Sequence, residues 1–155
     1  MKLGEKDVAL IALLQEDCRQ SLKKLSKKLG MPMSTVHEKI GKLETEGFIK
    51  QYAAVVDAEK LGLPVTAFLL VNAETRFGGK AVDQKAIAKE ISKIPLVQEV
   101  HIVTGEYDLL VKAKGKDMRE IGANVIDCVR KVEGVSQTRT TQAYHTAKES
   151  PNVPV

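Results

Sequence analysis

Cysteine is scarce in this 155-residue chain: Cys18 and Cys128 stand far apart and neither belongs to a CxxC spacing. That argues against a disulfide or a metal site, and the helix-type neighbours of both predict reduced, buried thiols. Long apolar runs are also missing, since none approaches the roughly 18 residues needed to cross a bilayer. The opening MKLGEKDVAL places acids where an export signal needs an uncharged apolar stretch, so a cytoplasmic protein is expected. No catalytic constellation emerges either. His37, His101 and His145 fall in three separate elements, neither cysteine has a base nearby in sequence, and Phe77-Gly78-Gly79-Lys80 lacks the spacing of a P-loop. The expectation is therefore a non-enzyme with no cofactor and no metal.

What the chain does have is enough apolar residue, 43% against 28% charged, to bury a core as one ordinary domain or two small ones. Its net charge of +4 is unevenly spread: Arg19 to Lys42 holds seven basic residues against one acid, and the remainder is slightly acidic. Within that stretch Lys23 and Lys27, and Lys24 and Lys28, are like-charged i,i+4 pairs that repel on a helix by roughly 0.2 to 0.5 kcal/mol each. A solvated lysine face is the plain reading of such a cluster. A polyanionic partner is the alternative.

The pattern along the chain divides in two. Val8, Ile11 and Leu14, flanked by Leu10 and Leu13, predict a first helix from about Lys6. Ser21 is placed to N-cap a short second helix with the apolar face Leu22, Leu25 and Leu29, and Gly30 to end it in a left-handed cap. A third helix from near Ser34 carries Val36, Ile40 and Leu43, and Gly47 closes it. Phe48 to Gln51 and Ala53 to Val56 are β-prone and predict a small ribbon or wing. Beyond LGLP, residues 61 to 64, the pattern becomes strand (Val65 to Ala73), helix (Val82 to Ile94), strand (Val97 to Val103), turn, and strand (Leu109 to Lys114). A helix capped by Asp117, with Met118, Ile121, Gly122, Val125, Val129 and Val132 on one stripe, leads through Gly134 into a last strand, Val135 to about Tyr144. The order β-α-β-β-α-β predicts a ferredoxin-like sheet with both helices on one face. Leu110 and part of Val65 to Val71 would then face away from those helices, so a second copy of the sheet is expected to cover them.

Three helices with a short turn between the last two, followed by a ribbon, make a winged helix-turn-helix pattern whose third helix enters the DNA major groove while the second crosses the phosphates. This supplies a polyanion for Ser21, Lys23, Lys24, Lys27 and Lys28. On the third helix Ser34, Thr35, His37, Glu38, Lys39 and Lys42 are the candidate contacts. Lys39 can donate to guanine, and Glu38, unfavourable beside phosphate, either reads a cytosine amino group or pairs with Lys42, the pair being expected.

These residues resemble a known family. Asp7, Ile11, Leu14, Gln15, Asp17, Arg19, Ser21, Leu25 and Gly30, then STVHEKIGKLETEGFIKQYAAVVDAEKLG from Ser34 to Gly62, look like the leucine-responsive (Lrp/AsnC, feast/famine) transcriptional regulators. Thr104-Gly105-Glu106-Tyr107-Asp108 is similar to that family's Gly-x-Tyr-Asp turn. The resemblance implies an α+β protein: a helix-turn-helix domain over 1–52, a linker strand and hinge over 53–64, a ligand-binding and oligomerisation domain over 65–147, and a flexible tail over 148–155. It further implies duplex DNA and an amino-acid effector as partners, and dimers that assemble into tetramers or octamers. Gly105, Glu106, Tyr107 and Asp108 are the implied effector residues. The Asp108 carboxylate would meet an α-ammonium group, and Thr138 and Thr140 would stand behind the turn. Two positions depart from the family: Pro32 stands where a serine usually caps the recognition helix, and Lys39 where arginine is common, so the bidentate fork is lost. Haem-pathway decarboxylases that share the two-domain build, and DNA-packaging proteins of low specificity, are the rival classes.

Overall fold

The computed structural model describes residues 2–155, which separate into two compact units, 2–55 together with 148–155, and 56–147. In the first unit, α1 (Glu5–Glu16), α2 (Leu22–Leu29) and α3 (Met33–Thr45) pack around Leu10, Leu25, Leu29, Val36 and Leu43, all at most 5% exposed. The Ser21 hydroxyl accepts the Lys24 amide at 3.3 Å, and Gly30 takes the left-handed conformation (φ 61°, ψ 41°), so α2 begins and ends as its sequence predicts. Pro32 occupies the N-cap of α3 with no side-chain acceptor, which lets the helix start at Met33, one residue earlier than expected.

The ribbon after α3 does not form. Residues 50–57 contain no strand; instead the Ile49 amide donates to the Leu43 carbonyl (3.1 Å), Ile49 packs on the helical core, and the Tyr52 hydroxyl donates to Glu44 Oε1 (2.8 Å). Burial of the ring, and then that acceptor, push the Tyr52 phenol up to about 12. A two-stranded ribbon needs an apolar surface to lie on, and here the apolar residue nearest the helices is already spent as a plug. Val55 and Val56 stay 76% and 61% exposed. The first unit is a helix-turn-helix without a paired wing.

The second unit is a four-stranded antiparallel sheet in the order β4 (Val97–Ile102), β5 (Leu109–Gly115), β1 (Val65–Ala73), β6 (Val135–Gln142). That order and the crossovers through the two helical segments are ferredoxin-like, as expected. A two-residue-loop hairpin, β2 (Arg76–Phe77) and β3 (Lys80–Ala81), is an addition; Gly78 and Gly79, at φ 56° and 81°, supply its turn. α4 (Gln84–Ile91) is followed after the β4–β5 hairpin by α5 (Met118–Ile121), a π-helical turn (Gly122–Ile126) and α6 (Asp127–Arg130). The Asp127 amide reaches back to the Gly122 carbonyl, so the predicted single helix widens where the side chain is smallest. Ile121, Val125 and Val129 are nonetheless fully buried with Ile87 and Ile91 against Leu69, Val71, Leu109, Val111 and Ala113. Both cysteines, expected inside, are exposed free thiols: Cys18 lies in the turn after α1 and Cys128 on the side of α6 away from Val129. Helix-type neighbours mark a helix, not which of its sides faces in.

Gly134 makes the return into β6 possible. Its φ is 88°, its carbonyl accepts the Glu74 amide at 2.8 Å, and a Cβ there would lie 2.9 Å from Val82 Cγ1 and 3.2 Å from Ile87 Cδ1. Gly134→Ala therefore combines left-handed strain with overpacking and should destabilise the sheet unit by about 2 to 4 kcal/mol. Urea unfolding, followed by amide exchange of β1 and β6, reads this as a lower midpoint; an unchanged midpoint contradicts it.

Candidate functional site

α2 presents Lys23, Lys24, Lys27 and Lys28 to solvent, all exposed. Their chemistry is not uniform. Lys27 and Lys28 lie in the last turn, where the helix dipole favours cations, and Lys28 stands 4.0 Å from Glu16. Lys23 and Lys24 lie in the first turn, which contains no acid, so the dipole opposes them and the α2 N-terminus adds positive potential. Without an anion this end of α2 is electrostatically unfavourable. On α3, Ser34, His37, Glu38 and Lys42 are exposed and Thr35 half-buried, with Ser34, Glu38 and Lys42 following one another at i,i+4 spacing. Glu38 and Lys42 make no ion pair among the described residues, contrary to expectation; an exposed pair of this kind gains only about 0.3 to 0.5 kcal/mol against the loss of side-chain freedom.

Lys39 is the main correction on this face. Its Nζ lies 2.6 Å from Asp7 Oδ1, with the two side chains 30% and 11% exposed, so it ties α3 to α1 instead of reaching outward for guanine. Position 39 precedes the core residue Ile40 and turns toward α1, a placement the periodicity of α3 alone did not reveal. Asp7 Oδ2 also accepts the Gly4 amide (2.9 Å), closing the first turn of α1. The Lys39 hydrogen bond, then the Gly4 amide, hold the Asp7 carboxyl below its ordinary 3.8.

In the sheet unit, the Gly105–Asp108 turn joins β4 to β5. Gly105, at φ 129°, is there because few other residues adopt that backbone. Asp108 is not available as drawn from the sequence: Oδ2 accepts the Ala73 amide (2.8 Å) and Oδ1 accepts Gln84 Nε2 (2.7 Å). The Ala73 amide needs that acceptor because it lies past the last rung of the β1–β5 pairing, Val71 with Leu109. Asp108 is thus a clamp between β1, α4 and the turn. Thr138 and Thr140 pair with Val71 and Leu69, which puts them on the helix-covered face, and Arg130 Nε donates to Thr138 Oγ1 at 3.0 Å. They do not join the turn.

The residues that do join it lie on the open face. Arg139 donates to the Tyr107 hydroxyl (3.3 Å), and Asn72 Nδ2 donates to the Glu106 carbonyl (3.1 Å) while its buried Oδ1 has no partner among the described residues. Period two in SQTRTTQ puts Arg139 with Gln137 and Thr141, opposite Thr138 and Thr140; choosing the correct side requires knowing that β6 pairs with β1. Farther along this face Phe68, Leu70 and Leu110 are half-buried, beside Glu99, which is bridged to Lys112 Nζ (2.9 Å) and His101 Nε2 (3.2 Å). Those two partners, Lys112 first, lower the Glu99 carboxyl. On the helix side, an open groove of about 610 Å³ lies among Phe77, Val82, Ile87, Cys128 and Val132. No cluster of three or more metal-ligating side chains exists among the described residues, nor a helix long and apolar enough to cross a membrane.

Two family models match the chain: the AsnC-type helix-turn-helix domain over residues 3–44 and the Lrp/AsnC ligand binding domain over residues 66–153. The chain belongs to the Lrp/AsnC family. It is a transcriptional regulator with a helix-turn-helix and a ligand-binding domain, and its relatives agree. A Pyrococcus abyssi protein described as an uncharacterized HTH-type transcriptional regulator is 40% identical over 147 residues, covering 95% of this chain and 96% of that one. HTH-type transcriptional regulator FL11 of Pyrococcus horikoshii is 36% identical over 153 residues, 99% and 97% of the two chains. Among solved structures, a Neisseria meningitidis transcriptional regulator in complex with L-Met superposes with a TM-score of 0.88 at 27% identity, covering 99% of this chain and 97% of the other. In this Lrp/AsnC chain the Asp7–Lys39 pair stabilises the DNA-binding unit only while Asp7 is ionised. Because its pKa is depressed, the contribution is full above the ordinary carboxylate range and fades as pH falls below about 4. Asp7→Asn should cost about 1.5 to 3 kcal/mol at pH 7, and the gap to wild type should narrow toward pH 3. Thermal unfolding of both proteins across that range checks it; a gap that is the same at both ends contradicts the assignment.

Proposed function

We propose that this regulator binds duplex DNA sequence-specifically through α2 and α3, and that its assembly and DNA binding respond to an amino acid. The observation that carries the DNA reading is the first turn of α2, where Lys23 and Lys24 face the positive end of a helix that holds no acid. A phosphate relieves both the lysine repulsion and the dipole, and its amides and ammonium groups are already in place. With Lys39 engaged by Asp7, base reading falls to Ser34, Thr35, His37, Glu38 and Lys42. Two copies, joined through the open sheet face with its apolar patch of Phe68, Leu70 and Leu110, would set two α3 helices on half-sites about 10 base pairs, or a multiple, apart.

For the effector, the turn Gly105, Glu106 and Tyr107 with Asn72 and Arg139 supplies what a zwitterion needs. Arg139 can meet a carboxylate, the Glu106 carboxylate and the orphaned Asn72 Oδ1 can accept from an ammonium group, and Gly105 admits a close approach. Asp108 acts by holding the turn in shape. Support also comes from the Neisseria meningitidis neighbour, which was solved with L-Met.

Replacing Lys23, Lys24, Lys27 and Lys28 together by Gln should weaken duplex binding and flatten the slope of log affinity against log salt by up to about 3.6, since each lost phosphate contact removes roughly 0.9. Fluorescence anisotropy over a salt series measures this, and an unchanged slope sinks the DNA reading. Arg139→Gln should lower amino-acid affinity, read by calorimetry, at least about tenfold through loss of a charge-assisted contact, while effector-free DNA affinity stays within about twofold. Loss of both in parallel would overturn the effector assignment.

A further inference from the structure

Residues 148–155, expected as a loose tail, instead belong to the DNA-binding unit. Gln15, near the end of α1, reads the backbone of Val153 with both ends of its carboxamide: Nε2 donates to the Val153 carbonyl (3.0 Å) and Oε1 accepts the Val153 amide (2.8 Å). Asn152 Nδ2 completes the contact by donating to the Gln15 carbonyl (3.2 Å), a group that becomes available because α1 ends one residue later, at Glu16. A carboxamide bonded to the donor and acceptor of one residue mimics one rung of a β-ladder, so the site selects an extended backbone. The segment Ser150-Pro151-Asn152-Val153-Pro154-Val155 suits it. Each proline biases the residue before it toward extended geometry, which lowers the entropy lost on docking. Yet Val153 and Val155 remain 61% and 56% exposed, so little apolar surface holds the segment down. The contact is specific in its hydrogen bonds and weak in its burial, which are the properties of a reversible latch.

The chain therefore crosses between its two units at two places, near Val55–Val56 and near Ala147–Lys148. With the segment docked, the DNA-binding unit is tethered to the ligand-binding unit at both crossings; undocked, only the first remains.

We propose that residues 148–155 are a strap that docks on Gln15 of α1 and, by giving the DNA-binding unit a second tether, narrows the range of half-site separations that a dimer can span. The occupant of the Gln15 site is this chain's own strap, and the effect on DNA rests on the DNA-binding reading above. Two tethers confine the unit to a smaller volume than one, raising the effective concentration at the matching separation and lowering it elsewhere.

Two measurements on the full-length protein test this. In the first, the ¹⁵N–¹H NOE of the Val153 amide should have the value of ordered backbone in wild type and fall toward zero in Gln15→Ala. A mobile Val153 in wild type, or one equally ordered in the variant, overturns the docking. In the second, a duplex selected by the wild-type protein is altered by inserting five base pairs between its half-sites, and the affinity penalty is measured for wild type, Gln15→Ala and a chain ending at Ala147. Both variants should lose at least about threefold of the wild-type penalty. An unchanged penalty with a released strap overturns the tether. Should Gln15→Ala disturb α1, the truncated chain, which keeps every residue of that helix, carries the second measurement. The first measurement needs no DNA, so failure of the DNA reading is seen separately, as loss of binding by wild type itself.

Discussion

Asp7 and Lys39 join the first helix of the DNA-binding unit to the third, and the precision of that unit depends on them. Three short helices bury only a small set of leucines and valines to completion, too little apolar contact to fix the angle of α3 unaided. Polar ties complete the job. Lys6 Nζ donates to the Leu29 carbonyl at 2.6 Å, satisfying an open acceptor at the end of α2, and the Ser26 hydroxyl donates to Met31 O at 2.5 Å across the turn. A lysine that reads DNA in one arrangement can be a strut in another, and the choice here follows from an aspartate lying 32 positions earlier. One outcome is that, with Lys39 held, α3 keeps Ser34, His37, Glu38 and Lys42 exposed and its first turn open at Pro32.

The sheet unit is governed by a different constraint. One face is filled by α4, α5 and α6, while the other presents a half-buried apolar patch edged by charges that are already paired, Glu99 with Lys112 and His101. Charges arranged in this way can be covered without leaving an ion alone in a dry environment. The Gly105 turn stands at the end of the same face, so anything that binds there acts on a surface already suited to self-association. In the function proposed above, effector and assembly would share that surface, which gives a direct route for coupling between them.

Much of this could be read from the chain itself. The three helices of the first unit, and the four sheet strands and the helical segments of the second, rested on local signals: Ser21 and Gly30 around α2, Asp117 ahead of α5, alternation through Leu109, Val111 and Ala113. The Gly-x-Tyr-Asp turn was found by its motif. The misreadings share a cause, because each depended on a partner distant in sequence. Lys39 needed Asp7, Asp108 needed the Ala73 amide left open where the β1–β5 pairing ends, and Thr138 needed the identity of the neighbouring strand. The wing failed for a related reason: β-propensity in Phe48 to Val56 is real, but Ile49 and Tyr52 found better partners on α3. Gly78-Gly79 did carry a local signal for the extra hairpin, one that a search for phosphate loops passes over.

The two thiols have a practical side. Cys18 and Cys128 are exposed, and the boundary between units puts one in each. A maleimide dye pair would therefore report the separation of the two bodies in unmodified sequence, and storage without reductant would invite copies to cross-link at their surfaces.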